Sequence, residues 1–275
     1  MRFPDFRLLP LVALLACGTA AGATPEAAKN EIAARLKAAL PAVRPADYDL
    51  GAAAFDEELR AKLDENAAAG DAVVQAGKKL WERRFRNGRS LAGCFPNGGR
   101  RVVGAYPLYD PRAKRVVTLE IAINQCLKGH GEPLVELDSP TMAALAAYLR
   151  SLSNGQKVAV RVPAAAQERF DQGQRLYRTR MGQRNYACAS CHVQVAGKRY
   201  EDTPLSPAIG QATHWPLIRD GAAVTMQMRM RECLELMGAA PFPAGSEELN
   251  HLEYFLTYLS NGLPLKANAW RPRSP

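Results

Sequence analysis

Cys188-Ala189-Ser190-Cys191-His192 is the stretch on which the reading of this chain turns. Two cysteines separated by two residues and followed at once by a histidine form the pattern that attaches a c-type haem. The thiols add to the two vinyl groups of the porphyrin, and the histidine reaches the iron from one face. Half of a zinc site and a redox Cys-x-x-Cys pair are the competing readings. A zinc site needs a second ligand pair at suitable spacing, and none accompanies this one. The motif predicts one covalent haem c, with Cys188 and Cys191 as thioether cysteines and His192 as proximal ligand.

Outward from the motif, the chain repeats itself. Gly77-Lys78-Lys79-Leu80-Trp81 opens one copy and Gly173-Gln174-Arg175-Leu176-Tyr177 opens the other, each reading as an amphipathic helix of about four turns. Leu149-Arg150-Ser151-Leu152-Ser153-Asn154-Gly155 closes the first copy and Leu256-Thr257-Tyr258-Leu259-Ser260-Asn261-Gly262 the second, both with the Asn-Gly stop of a helix. Cys126 and Cys233 each stand 29 residues before their closing glycine. Near the front, Cys94 follows Gly77 by 17 residues and Cys188 follows Gly173 by 15. The joint between copies falls near residues 153–165.

Six cysteines are present: Cys17, Cys94, Cys126, Cys188, Cys191 and Cys233. Residues 1–23 read as a secretory leader, with Arg2 and Arg7 ahead of an apolar run and Ala21-Gly22-Ala23 as a cleavage site. Leu14-Leu15-Ala16-Cys17 offers a competing lipoprotein reading. Cleavage after Ala23 leaves five cysteines, an odd number in an oxidising compartment. The repeat accounts for them. Cys94-Phe95-Pro96-Asn97-Gly98 has Asn97 and Gly98 where the haem motif has its second cysteine and its histidine. With no haem between them, Cys94 and Cys126 can close on each other, which leaves Cys233 on the haem-bearing side. A buried, inert thiol is the alternative for Cys233.

The iron's sixth ligand is the open question. Electron-carrier cytochromes of this class usually use methionine. Residues 224–237 read as a helix with Met226, Met230, Cys233 and Met237 on one face, and Met228 beside them. A methionine stripe at helical spacing is more often core packing than ligation. A Met-ligated electron-transfer cytochrome without activity of its own is therefore the rival to a Cys233-ligated centre.

The remaining features bound the class. The net charge is +9, with a pI near 9.4, which suits acidic partners. No basic stripe interleaved with aromatics points to nucleic acid. The leader's apolar run is too short to span a bilayer, so no membrane span is expected. Residues 24–70 read as a helical N-terminal extension: Pro25 to Leu40 with a stripe at Ile32, Leu36 and Leu40, then a second stretch from Phe55 to Asn66, either packed on the rest or mobile. Residues 71–160 and 161–275 hold the two copies, with short strands around Val116 to Ile121 left open. His214 is placed as a pocket-lining candidate, His251 as haem-edge or surface, and His130 as exposed.

With these residues on the page, the chain resembles the SoxA family, the catalytic subunits of the SoxAX cytochrome complexes of sulfur-oxidising bacteria. The resemblance rests on tandem cytochrome c-like copies, the Cys188-x-x-Cys191-His192 motif and the segment Arg229-Met230-Arg231-Glu232-Cys233. Some members carry haem in both domains, whereas others lack the first haem and keep a disulfide there. This sequence is similar to the second kind. The resemblance implies a mainly α fold of two tandem cytochrome c-like domains, the first without haem and closed by a Cys94–Cys126 disulfide. It implies an L-cysteine S-thiosulfotransferase of the periplasm that joins thiosulfate oxidatively to a cysteine of the carrier SoxYZ. It implies a heterodimer with SoxX, which passes the electrons to a small cytochrome c. It also implies that Cys233 is both axial ligand and catalytic residue and that Arg229, four residues earlier on the same helix face, binds substrate.

Overall fold

Eight α-helices and three two-stranded hairpins run through residues 24–272, which the computed structural model describes. The expected leader and Cys17 lie outside the described residues. In chain order the elements are α1 (Pro25–Ala39), α2 (Glu57–Glu65), α3 (Asp71–Glu82), β1 (Leu108–Asp110), β2 (Arg115–Val117), α4 (Leu119–Gly129), α5 (Pro140–Ser151) and α6 (Gln167–Arg178). They continue as β3 (Arg199–Tyr200), β4 (Thr203–Pro204), β5 (Leu217–Arg219), β6 (Ala222–Val224), α7 (Met226–Leu236) and α8 (Glu247–Leu259). The fold is mainly helical, as the sequence predicts.

Chemistry at the helix starts explains most boundaries. Thr24, Asp56, Thr118, Ser139, Thr225 and Ser246 each accept a backbone N–H of the first turn through a side-chain oxygen. The α1 helix keeps its expected stripe, with Ala28, Ile32 and Leu36 buried in the main core. It is tied down as well as packed: Lys29 Nζ donates to the Asn261 carbonyl at 2.8 Å, and Arg178 pairs with Glu31 at 2.7 Å. The extension is thus part of the molecule's core and not a mobile arm.

The repeat is visible as geometry. Helix α3 packs on α5, and α6 packs on α8. A Cβ placed on Gly77 would overlap the Ala144 carbonyl, and one on Gly173 would overlap the His251 carbonyl. Each opening helix therefore crosses its closing helix with backbone almost touching backbone. These opening helices have 12 residues each, nearer three turns than four. The hairpin and the helix that follows it also repeat. The β1–β2 hairpin leads through Thr118 into α4, and β5–β6 leads through Thr225 into α7. Cys126 and Cys233 each stand eight residues beyond their capping threonine. Of the stretch Val116 to Ile121, only Val116 and Val117 are strand, because Thr118 caps the Ile121 amide and starts α4.

The two halves share one hydrophobic core. The joint pairs with the C-terminal tail: Gly155 N–H donates to the Leu265 carbonyl, and Val158 N–H to the Leu263 carbonyl, both at 2.9 Å. Deeper in, Arg150 of α5 lies 3.9 Å from Glu120 of α4 and 3.9 Å from Glu253 of α8. Arg231 of α7 pairs with Asp138 ahead of α5, so it points away from Arg229 and Cys233 as its helix position predicts.

Cys94 and Cys126 form a disulfide with Cα atoms 5.8 Å apart. His130 stands beside it, its ring nitrogen within 4.8 Å of the two sulfurs. It is half-buried where exposure was expected. It caps the end of α4, stacks on Phe85 with centroids 5.2 Å apart and meets Asn87 Nδ2 at 3.0 Å. Because the two sulfurs are bonded to each other, they and His130 do not make a metal-ligand set.

Candidate functional site

The haem-type motif sits on a single helical turn. Ser190 Oγ accepts the Ala187 N–H at 3.1 Å and fixes the start of that turn, which runs on through Ser190–Gln194. Cys188, Cys191 and His192 then face a cavity of about 1600 Å³ of non-atom space, its open mouth included. Helix α7 lines the same cavity with Met226, Arg229, Met230 and Cys233, and Met237 follows from its C-terminal cap. The structure therefore gathers Cys188, Cys191, His192, Arg229 and Cys233 into one cavity. Met226, Met230 and Met237 line it together with Cys233, whereas the sulfur of the fourth candidate, Met228, accepts the Thr225 N–H at 3.4 Å; lining by itself does not separate a thiolate ligand from a thioether one.

Hydrogen bonding sets the imidazole. His192 Nδ1 lies 2.8 Å from the Ser206 carbonyl, which can only accept, so Nδ1 carries the proton. Nε2 is left bare, the form in which an imidazole ligates a metal, and the backbone carbonyl fixes its tautomer. The Gln211 side-chain amide lies 2.7 Å from the same Nδ1, where a protonated Nδ1 calls for the amide oxygen rather than its NH2. Burial pushes the His192 pKa down to about 4, with the Ser206 carbonyl opposing and the Arg229 charge adding to the fall.

The sulfurs sense one another. Burial, then the charge of Cys233, push Cys188 up to about 12, and the same two causes raise Cys191. Cys233 itself is raised by burial, while Arg229 pulls it back, Glu232 adds to the rise and Arg219 opposes it. Three free thiols, among the described residues the only cysteines outside the disulfide, thus share one cavity with an imidazole that has one bare nitrogen.

The cavity wall also carries polar atoms that nothing in the chain satisfies. Tyr177 Oη, His214 Nδ1 and Trp215 Nε1 are buried without a hydrogen-bond partner and line the cavity. Buried polar groups are nearly always paired, so these mark a wall built around something further. Arg271 also lines it, its pKa held down to about 10 by burial while Asp49 pulls the other way. His214 is thus placed in the pocket as a candidate. His251 is buried in α8 away from it, with its carbonyl against Gly173.

Sequence reasoning missed Arg219, which comes from β5. Its guanidinium lines the cavity and donates to Glu232 Oε1 at 2.6 Å, and Arg229 donates to Glu232 Oε2 at 3.0 Å. The repeat does not mark it, because the residue at the matching end of β1 is Asp110. Tyr177 carried no signal of a site role, whereas Trp215 directly follows the pocket candidate His214. Among the described residues no helix is long and apolar enough to cross a membrane.

Comparison with known proteins agrees with this geometry. Residues 76–158 and 172–265 both match the SoxA/TsdA cytochrome c domain, one match to each copy of the repeat. The chain is 40% identical over 236 residues to the L-cysteine S-thiosulfotransferase subunit SoxA of Chlorobaculum tepidum, covering 84% of this chain and 82% of that one. It is 35% identical over 260 residues to the protein of the same name from Allochromatium vinosum, covering 92% of each. In shape it is similar to a chain of the crystal structure of SoxXA from P. pantotrophus, with a TM-score of 0.72 at 26% identity, covering 78% of this chain and 84% of that chain.

Proposed function

Because the chain belongs to the SoxA family of SoxA/TsdA cytochrome c proteins, we propose that it is an L-cysteine S-thiosulfotransferase subunit that conjugates thiosulfate to a carrier cysteine. The observation that carries this reading is the meeting of Cys188, Cys191, His192, Arg229 and Cys233 on the walls of one cavity.

The residues fit a covalent haem c. Cys188 and Cys191 would hold it by thioethers, and His192 Nε2 and Cys233 would ligate its iron. Tyr177 Oη and Trp215 Nε1 supply unpaired donors, and His214 Nδ1 an unpaired polar atom, for a polar group that the chain itself lacks. When bound, the haem supplies a one-electron redox centre beside Cys233. The chain's own contribution is positional and electrostatic. Arg229 offers a forked set of N–H groups to a sulfur oxyanion and steadies negative charge at the Cys233 sulfur. In the overall conversion, a bond forms between the terminal sulfur of thiosulfate and the carrier's cysteine sulfur. The thiol proton goes to solvent, and two electrons leave.

We read the chain as carrying one haem. In the first half Asn97 and Gly98 replace the second cysteine and the histidine, and Cys94 is joined to Cys126. SoxX is the proposed partner, supported by the likeness to a SoxXA chain. SoxYZ is the proposed carrier, and a small cytochrome c the proposed electron acceptor. Residues 1–23 are read as a leader to the periplasm, 24–70 as an extension, and 71–160 and 161–275 as the haemless and haem-bearing domains.

Ferric wild-type protein beside Cys233→Met tests the reading. A low-spin thiolate signature in electron paramagnetic resonance, lost in the variant, is the expected result. A near-infrared methionine-to-iron band in the wild type would overturn it, favour the electron-carrier reading, and direct attention to Met226, Met230 and Met237 on the same wall.

A further inference from the structure

Glu232 is the point where two arginines from different elements meet. Arg219 ends strand β5, and Arg229 lies one turn before Glu232 on α7. One carboxylate oxygen accepts from Arg219 and the other from Arg229. The side chains of Arg219 and Arg229 are 12% and 21% exposed, whereas Glu232 is 38% exposed. The carboxylate therefore stands toward solvent, and the two guanidiniums stand deeper, on the wall that Cys233 shares. A guanidinium has five N–H donors, and Glu232 uses one from each, so most of both forks remains available. Two arginines against one carboxylate leave a net positive charge in a largely buried space.

The repeat provides an internal control. In the first half, Asp110 ends β1 where Arg219 ends β5. Counting back from Cys126 as from Cys233, Ala122 stands where Arg229 does and Gln125 where Glu232 does. The hairpin docks beside its helix in both halves, yet the charged trio occurs only in the half that bears the Cys-x-x-Cys-His motif. Fold maintenance does not require it.

We propose that Arg219 and Arg229 form a two-armed subsite, aligned by Glu232, for the sulfonate end of a divalent sulfur oxyanion. The proposal rests on the thiosulfate reading above and deepens it. Arg219 contacts the anion directly. Glu232 is a positioning residue that keeps two like charges side by side and their forks in one orientation.

Calorimetric titration of inorganic thiosulfate into the oxidised, haem-loaded SoxX complex tests this without requiring turnover. Loss of one charge-assisted arm predicts that Arg219→Gln weakens thiosulfate binding by about tenfold or more. Arg219→Lys, which keeps the charge and loses the fork, falls between the two. Glu232→Gln weakens binding several-fold through lost alignment, and steepens its dependence on ionic strength because the site's net charge rises when the carboxylate goes. An unchanged haem spectrum and melting temperature establish that each variant is folded. Steady-state kinetics with the carrier should show the same loss in KM, with kcat less affected. Equal affinity in Arg219→Gln and wild type, or no thiosulfate binding by wild type, overturns the subsite. Weakened binding in the variant together with no conjugation by wild type would keep the subsite and remove the proposed function.

Discussion

Gly173 lies against the backbone carbonyl of His251, so closely that a methyl group on the glycine would overlap its oxygen. The contact lets α6 cross α8 at backbone distance. Helix α8 in turn presents Leu252 and Leu256 to the haem-type cavity.

Gly173→Ala must push the two helices apart. Overpacking at such a crossing costs about 1–3 kcal/mol, and backbone is less able to yield than a side-chain tip. The urea midpoint should fall accordingly, and the haem absorption bands should shift, because α8 forms part of the wall. Gly129→Ala is the control: a Cβ there meets nothing within 4 Å, and its stability should change by less than about 0.5 kcal/mol. Equal midpoints for the two variants would show that the crossing tolerates a side chain.

The disulfide yields a second prediction. It links residues separated by 32 positions, and closing a loop of that size stabilises by about 3–4 kcal/mol in the loop-entropy picture. The Cys94→Ser/Cys126→Ser double variant should lose about that much in urea denaturation while keeping the wild-type haem spectrum, since the pair lies in the other half. A changed haem spectrum would mean that the first half controls the geometry of the second.

The repeat was legible in the sequence because its markers are backbone requirements. Gly77 and Gly173 are needed where helices touch, and Cys126 and Cys233 hold one register on equivalent helices. That Cys188, Cys191 and His192 meet in one cavity was legible because their Cys-x-x-Cys-His spacing puts them on a single helical turn. The Cys94–Cys126 bond followed from the same register. Arg219 was not legible. It lies 14 residues before Cys233, and only the hairpin's fold-back brings it to Glu232. The Arg150 pairs were hidden for the same reason, since Glu120 and Glu253 reach it from separate halves. His130 was misjudged because its Gly-His-Gly setting suggests a free loop, whereas α4 ends there against Phe85.

Glu253 supplies a prediction about pH. It is buried at the junction of the halves, with Arg150 3.9 Å away and Gln227 Nε2 donating to it at 2.9 Å. Burial, then Glu120, raise its pKa from 4.5 to about 8, against the opposing pull of Arg150 and Gln227. The unfolded carboxyl gives up its proton near 4.5, while the folded one keeps it until about 8. Within that window the folded state holds the extra proton. This group's contribution to stability therefore falls as pH rises from 4.5 to about 8 and is level above that. Glu253→Gln keeps a neutral side chain of similar shape and abolishes the titration. Urea midpoints measured between about pH 5 and pH 8 should decline more steeply in wild type than in the variant, with the variant gaining relative stability toward the alkaline end. Parallel profiles would mean that Arg150 keeps Glu253 ionised in the folded protein, and that the junction is a closed ion pair rather than a protonated carboxyl.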